Sequence, residues 1–191
     1  NAGNVGDLAP DVFWRAEEGA AQANASILVD QAQSAATLAL PKGAVVTHAY
    51  LYWAAQNYAM IDNTATIQCL DQAGAPLDVQ AQSTWIAFSG AYNAVSDVKT
   101  LIETYGSCTY LVSGVSAANF GGAQSQTFGY AVWWLVVLYK DAAATHKHLM
   151  ILDGLDTIGN GGESLMQLSG FQIPKNFGLF SSAKLGVAAY D

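Results

Sequence analysis

Nine consecutive apolar residues, Ala131-Val-Trp-Trp-Leu-Val-Val-Leu-Tyr139, lie between the polar run Gln124-Ser-Gln-Thr127 and the charged pair Lys140-Asp141. The run is less than half the roughly 20 residues that a helix needs to cross a bilayer, so it does not predict a membrane span. Its β-branched and aromatic residues predict a strand. Strands of antiparallel sheets ordinarily alternate apolar and polar side chains, so one that is apolar on both parities needs cover on both faces. The expectation is a central sandwich strand, with Val132, Trp134, Val136 and Leu138 on the opposing sheet. Trp133, Leu135, Val137 and Tyr139 then lie under loops or a neighbouring subunit.

Other β-type runs recur at short intervals: 26–30, 36–40, 45–53, 64–71, 77–88, 108–115, 148–155, 164–171 and 183–190. Turn-forming residues separate them, among them Pro41-Lys-Gly43, Asp71-Gln-Ala-Gly74, Gly121-Gly122, Asn160-Gly-Gly162 and Pro174-Lys-Asn176. Strands at this spacing without intervening helices predict an all-β antiparallel sandwich or jelly roll of about ten strands. One short helix is expected over 96–104, with Ser96 as its cap and Val98, Leu101, Ile102 and Tyr105 on one face. Residues 1–25, rich in Ala, Gly, Asn and Gln, read as an irregular arm, and 26–191 as a single β-sandwich domain. No internal repeat indicates a propeller or solenoid.

Charge narrows the partners. Charged residues make up 12% of the chain against 52% hydrophobic, and the net charge is −8. Arg15 is the single arginine and the lysines are scattered, so there is no basic stripe for nucleic acid or anionic lipid. The poor supply of charge predicts that some apolar surface faces another copy of the chain. In 45–53, the parity of Val45, Thr47, Ala49, Leu51 and Trp53 reads as core. The other, with Val46, His48, Tyr50 and Tyr52, reads as an outer aromatic stripe. His48, Tyr50 and Tyr52 are therefore candidate self-association residues, together with Ser26, Ile27, Leu28 and Val29, a segment suited to adding to a neighbour's sheet edge.

Chemistry-bearing residues are few. No nucleophile elbow, zinc-binding His pair, paired-cysteine motif or phosphate loop is present, and the expectation is a protein without enzymatic activity. His146 and His148 have strand spacing for two metal ligands but lack a third nearby. Asp153, Asp156, Asn160 and Glu163 form an oxygen-rich segment that admits Ca²⁺ as the one cofactor, although turn formation is the plainer account and the spacing is not that of an EF-hand. Asn24-Ala-Ser26 matches a glycosylation acceptor. Cys69 and Cys108, both in strand-like runs, are either a disulfide or two buried thiols. A disulfide would indicate an oxidising compartment.

Several stretches together, in this order, resemble a known type of module: Ala49-Tyr-Leu-Tyr-Trp53, Ser96-Asp-Val-Lys-Thr-Leu-Ile102, Gly106-Ser-Cys-Thr-Tyr110, Trp133-Trp-Leu-Val-Val-Leu-Tyr139, Leu152-Asp-Gly-Leu155, and Leu168-Ser-Gly-Phe171 followed by Pro174. The set is similar to β-rich modules of large secreted or cell-surface bacterial proteins of adhesin type, and the resemblance runs from about residue 44 onward. It implies an exported, non-enzymatic surface module and transfers no catalytic residue. Two departures are Ala54-Ala55, where such modules carry Gly, and the ending at Tyr190-Asp191, where they continue into an acidic-Gly segment and further strands. The leading expectation is thus an extracellular structural protein that self-associates into a fibre or layer. The alternative is a lectin-like or adhesin module that binds glycans through Trp85, Tyr92 and Tyr58.

Overall fold

The computed structural model describes residues 33–57, 61–87, 90–117, 131–144, 147–156, 165, 167, 169–170 and 185–187. These contain eight strands and one helix: β1 (Gln33–Leu38), β2 (Val45–Gln56), β3 (Thr64–Cys69), β4 (Leu77–Gln80), β5 (Ser83–Ile86), β6 (Ala91–Asp97), α1 (Lys99–Tyr105), β7 (Cys108–Ser113) and β8 (Ala131–Lys140). They form two four-stranded antiparallel sheets, ordered β1-β7-β3-β4 and β5-β6-β2-β8. The expected all-β sandwich with one short helix is the observed architecture, with eight rather than ten strands among the described residues. The arm over 1–25 and the run at 26–30 lie outside those residues, and 148–155 carries no strand.

One apolar core joins the sheets. Alternate residues of β3 and β7, namely Ala65, Ile67, Cys69, Cys108, Tyr110 and Val112, meet Ala49, Leu51, Trp53, Tyr92 and Ala94 of the second sheet. Trp53, Leu51, Ile67, Tyr92 and Tyr110 are sealed completely; burying a side chain of this size contributes about 1.5–3 kcal/mol. Their polar tips are satisfied: Trp53 Nε1 donates to Asp62 O at 3.3 Å, Tyr92 Oη to Ser116 O at 2.6 Å and Tyr110 Oη to Gly106 O at 2.9 Å. Burial, and then the charge of Tyr105, pushes the Tyr110 phenol up to about 12.

The sandwich is closed differently on its two sides. At one, 77–86 leaves β4 in the first sheet and enters β5 in the second, so the single expected strand over 77–88 is two strands broken at Ala81-Gln82. At the other, Trp133 Nε1 on β8 donates to Ser34 Oγ on β1 at 2.6 Å. Cys69 and Cys108 form a disulfide between neighbouring strands β3 and β7, the bridged one of the two expected alternatives.

Helix α1 begins two residues later than a cap at Ser96 would set it, with Val98 in the cap position. The Lys99 amide donates to Oδ1 of Asp97, the residue before that cap position, at 2.8 Å, while Ser96 is a buried residue of β6. Leu101 and Ile102 are its buried residues, and the turn ends at Gly106, whose φ of 62° suits glycine.

The long apolar run differs from expectation in two respects. Among the described residues β8 is the last strand of its sheet, paired with β2 alone, rather than a central strand. Its core-facing parity is also the opposite one: Trp133, Leu135 and Val137 pack on the core, whereas Trp134, Val136 and Leu138 oppose Tyr52, Tyr50 and His48 on the outer face. In β2 the core parity holds for Ala49, Leu51 and Trp53 but not for Val45 and Thr47. The register with β8 shifts between Val46 and His48, so Thr47 is an extra, bulged residue. Thr47 Oγ1 donates to Leu138 O at 3.0 Å, and Val46, not Val45, enters the core.

Candidate functional site

The outer face of the second sheet carries the aromatic stripe. Alternation along β2 beyond the bulge puts His48, Tyr50 and Tyr52 on one side, with ring centroids 6.2 and 6.5 Å apart in succession. Across the ladder, Tyr52 lies flat on Trp134, with centroids 5.1 Å apart and planes 2° from parallel. Val136 and Leu138 extend the apolar strip beside Tyr50 and His48.

The chain itself covers one end of this face. Tyr52 Oη donates to Asp153 Oδ1 at 2.5 Å, and Asn93 Nδ2 on β6 donates to Gly154 O at 3.0 Å, so Asp153-Gly154 lies across β2 and β6. Tyr52 and Asn93 are 4% and 3% exposed, which removes Tyr52 from the surface that a neighbour can reach. Burial, then the hydrogen bond to the Asp153 carboxylate and its charge, raises the Tyr52 phenol far above its ordinary range. Asn93 Oδ1 is sealed from solvent and has no hydrogen-bond partner, the one such side-chain atom among the described residues.

The other end is open. His48 is exposed, Tyr50, Val136 and Leu138 are half-buried, and Val45 is 61% exposed. Lys140 stands opposite Val45 and Asp97 opposite Tyr50, so the open apolar strip is flanked by one charge of each sign.

Of the remaining sequence candidates, Ser26, Ile27, Leu28 and Val29 lie outside the described residues, as do Tyr58, His146, Asn160 and Glu163. Asp153 meets Tyr52 as above, and Asp156 is exposed. No three His, Cys, Asp or Glu side chains gather into a metal-binding group among the described residues. Tyr92 is not an exposed aromatic for sugar stacking, since it is fully buried in the core; Trp85 on β5 is half-buried. Asn93 was missed by sequence reasoning: nothing in Ala91-Tyr-Asn-Ala-Val95 distinguishes it from a turn asparagine. No helix among the described residues is long and apolar enough to cross a membrane. No protein-family model, curated protein or solved structure matches the chain.

Proposed function

We propose that this protein is a non-enzymatic, extracellular structural module that self-associates into a fibre or layer through the open end of the aromatic sheet face. The observation that carries this reading is the contrast between the two ends of one face. Tyr52, on which Trp134 stacks, is held by the chain's own Asp153, whereas His48, Tyr50, Val136 and Leu138 continue the same apolar strip without that contact. A contiguous apolar surface of this kind favours a protein partner, and a second copy supplies the same strip with Lys140 and Asp97 at its margins. The disulfide fits an oxidising compartment outside the cytoplasm. Glycan binding is the weaker reading, because Tyr92 is in the core.

Sedimentation analysis across a wide concentration range, with electron microscopy of concentrated material, tests the proposal. Concentration-dependent assembly is expected, reduced by Tyr50→Lys and Leu138→Lys, each of which puts a charge into the strip. A wild-type protein that stays monomeric throughout, or assembly that both variants leave unchanged, overturns it.

A further inference from the structure

We infer that residues 147–152 form a strap that closes over the open end of the aromatic strip, with Ile151 seated on Tyr50 and Val136 and Leu149 on His48 and Leu138. The closed strap masks the strip from a second copy. That masking rests on the reading of the strip as the self-association face, whereas the closure itself does not.

Both ends of the strap are fixed beside the strip. At one end β8 finishes at Lys140 and the chain turns at once: the Ala144 amide donates to Asp141 O at 3.1 Å and the Ala143 amide to Asp141 Oδ1 at 2.9 Å. At the other, Asp153 accepts the Tyr52 hydroxyl, and Gly154 O accepts from Asn93 Nδ2 on β6. Across the ladder Tyr52 lies opposite Trp134, Tyr50 opposite Val136, His48 opposite Leu138 and Val45 opposite Lys140. The open rows of Tyr50 with Val136 and His48 with Leu138 therefore lie between the two fixed points, and the chain leaving the turn has to return past them to reach Asp153. The lengths agree. Trp134 to Lys140 spans roughly 20 Å of strand, and an extended run from Lys147 to Asp153 has the same number of residues and covers the same distance.

Alternation decides which side chains meet the sheet. In an extended segment Leu149 and Ile151 share the side of Asp153, which faces Tyr52, while Met150 and Leu152 take the other. Ile151, next to Asp153 on that side, is half-buried, whereas Leu149, farther from the anchor, is 59% exposed. The strap is thus seated nearest its anchor and raised at its far end. Lowering Leu149 removes its own apolar surface and that of His48 and Leu138 from water together. Nothing charged is desolvated, since Leu149-Met-Ile-Leu152 carries no ionisable group. The entropic cost is reduced because both ends are already held. A tethered segment also competes with a second copy at an effective concentration on the order of millimolar, so the chain's own strap is the first occupant of the strip.

Cysteine crosslinking of the full chain tests the closure, because both native cysteines are in the disulfide. In dilute Leu149→Cys/His48→Cys a short thiol-to-thiol reagent is expected to give an intramolecular crosslink, read by mass and peptide mapping, and Leu152→Cys/His48→Cys, on the opposite parity, is expected to give far less. Equal yields from the two pairs, no crosslink, or crosslinks only between molecules overturn the closure. Sedimentation tests the masking. The crosslinked protein should not assemble at concentrations where the same protein before crosslinking does, and Leu149→Ser, at an exposed position, should assemble at a lower concentration than the wild type; a strap closed about 90% of the time corresponds to about a tenfold shift. Crosslinked protein that assembles as readily as before overturns the masking. An absent intramolecular crosslink in a protein that still assembles sinks the strap and spares the self-association reading. A formed crosslink, with neither wild type nor Leu149→Ser assembling, sinks that reading and the masking with it, and supports the closure.

Discussion

Trp133 and Ser34 join the two sheets at the side of the sandwich opposite the β4–β5 crossing, through an indole N–H···Oγ hydrogen bond of 2.6 Å. Ser34 is 5% exposed, so its hydroxyl is a buried polar group whose place in β1 is justified by that bond. Ser34→Ala leaves the indole N–H of half-buried Trp133 without its partner and is expected to cost about 1 kcal/mol; Trp133→Phe also removes apolar area. A double-mutant cycle measured by urea denaturation should return a coupling of about 0.5–1.5 kcal/mol. Strict additivity would mean that the sheets are held together at this side by packing alone.

The disulfide gives a second expectation. Cys69 and Cys108 are 39 residues apart, and in the chain-entropy model closing a loop of that size stabilises the fold by about 4 kcal/mol. Both residues are 1% exposed. The double variant Cys69→Ala/Cys108→Ala should therefore lower the unfolding free energy by a few kcal/mol in chemical denaturation, and native protein should offer no thiol to an alkylating reagent. Rapid alkylation at two sites without a reductant would contradict the bridge.

Much of the sandwich is legible in the sequence, because β1, β2, β3, β7 and β8 alternate or run apolar between turn-forming residues. β6 is not: Ala91-Tyr-Asn-Ala-Val-Ser-Asp97 has polar Asn and Ser amid small residues, and six of its seven residues are buried, so no period of two survives. The inward parity of β8 was equally unreadable, since both of its faces are apolar and the deciding contact, Ser34, is about a hundred residues away. In β2 the alternation was sound, but the bulge at Thr47 reverses it, and no glycine marks the place. The covered end of the stripe depends on Tyr52 finding Asp153, a pairing across 101 residues that no local pattern encodes.

Alkaline pH should loosen the fold through Tyr52 and Tyr110. Both phenols are raised in the folded state, Tyr110 to about 12 and Tyr52 further. Below about pH 10 each is protonated in both states, and its contribution is fully present. As pH rises past the unfolded value the unfolded chain releases the proton first, so stability falls by up to about 1.4 kcal/mol per pH unit for each group. The fall continues through about pH 12 for Tyr110. Tyr52→Phe should be flatter than the wild type above pH 10, as read from unfolding midpoints at pH 9, 10 and 11, at the cost of the Asp153 hydrogen bond at neutral pH. Parallel curves for the two proteins would show that Tyr52 ionises as freely in the folded chain as in the unfolded one.

Asp62 is the connection whose loss should be felt furthest from its own position. Its Oδ1 accepts from the Thr64 amide at 3.0 Å and from Thr64 Oγ1 at 2.8 Å, which fixes the entry to β3. Its Oδ2 accepts from the Ser116 amide at 2.9 Å, which holds the segment after β7, and the Ser116 carbonyl in turn receives the Tyr92 hydroxyl from the core. The Asp62 carbonyl receives the Trp53 indole, so one half-buried residue ties both sheets to the chain leaving β7. Asp62→Ala is expected to cost about 2–4 kcal/mol, since hydrogen bonds to a charged group contribute about 1.5–3 kcal/mol each and the Ser116 amide is left unpaired. Asp62→Asn keeps one acceptor oxygen and should lose roughly half as much, with faster amide hydrogen exchange at either Thr64 or Ser116 but not at both. Equal destabilisation by the two variants, with exchange accelerated across the whole domain, would mean that the carboxylate's charge and not its two separate acceptors maintains this junction.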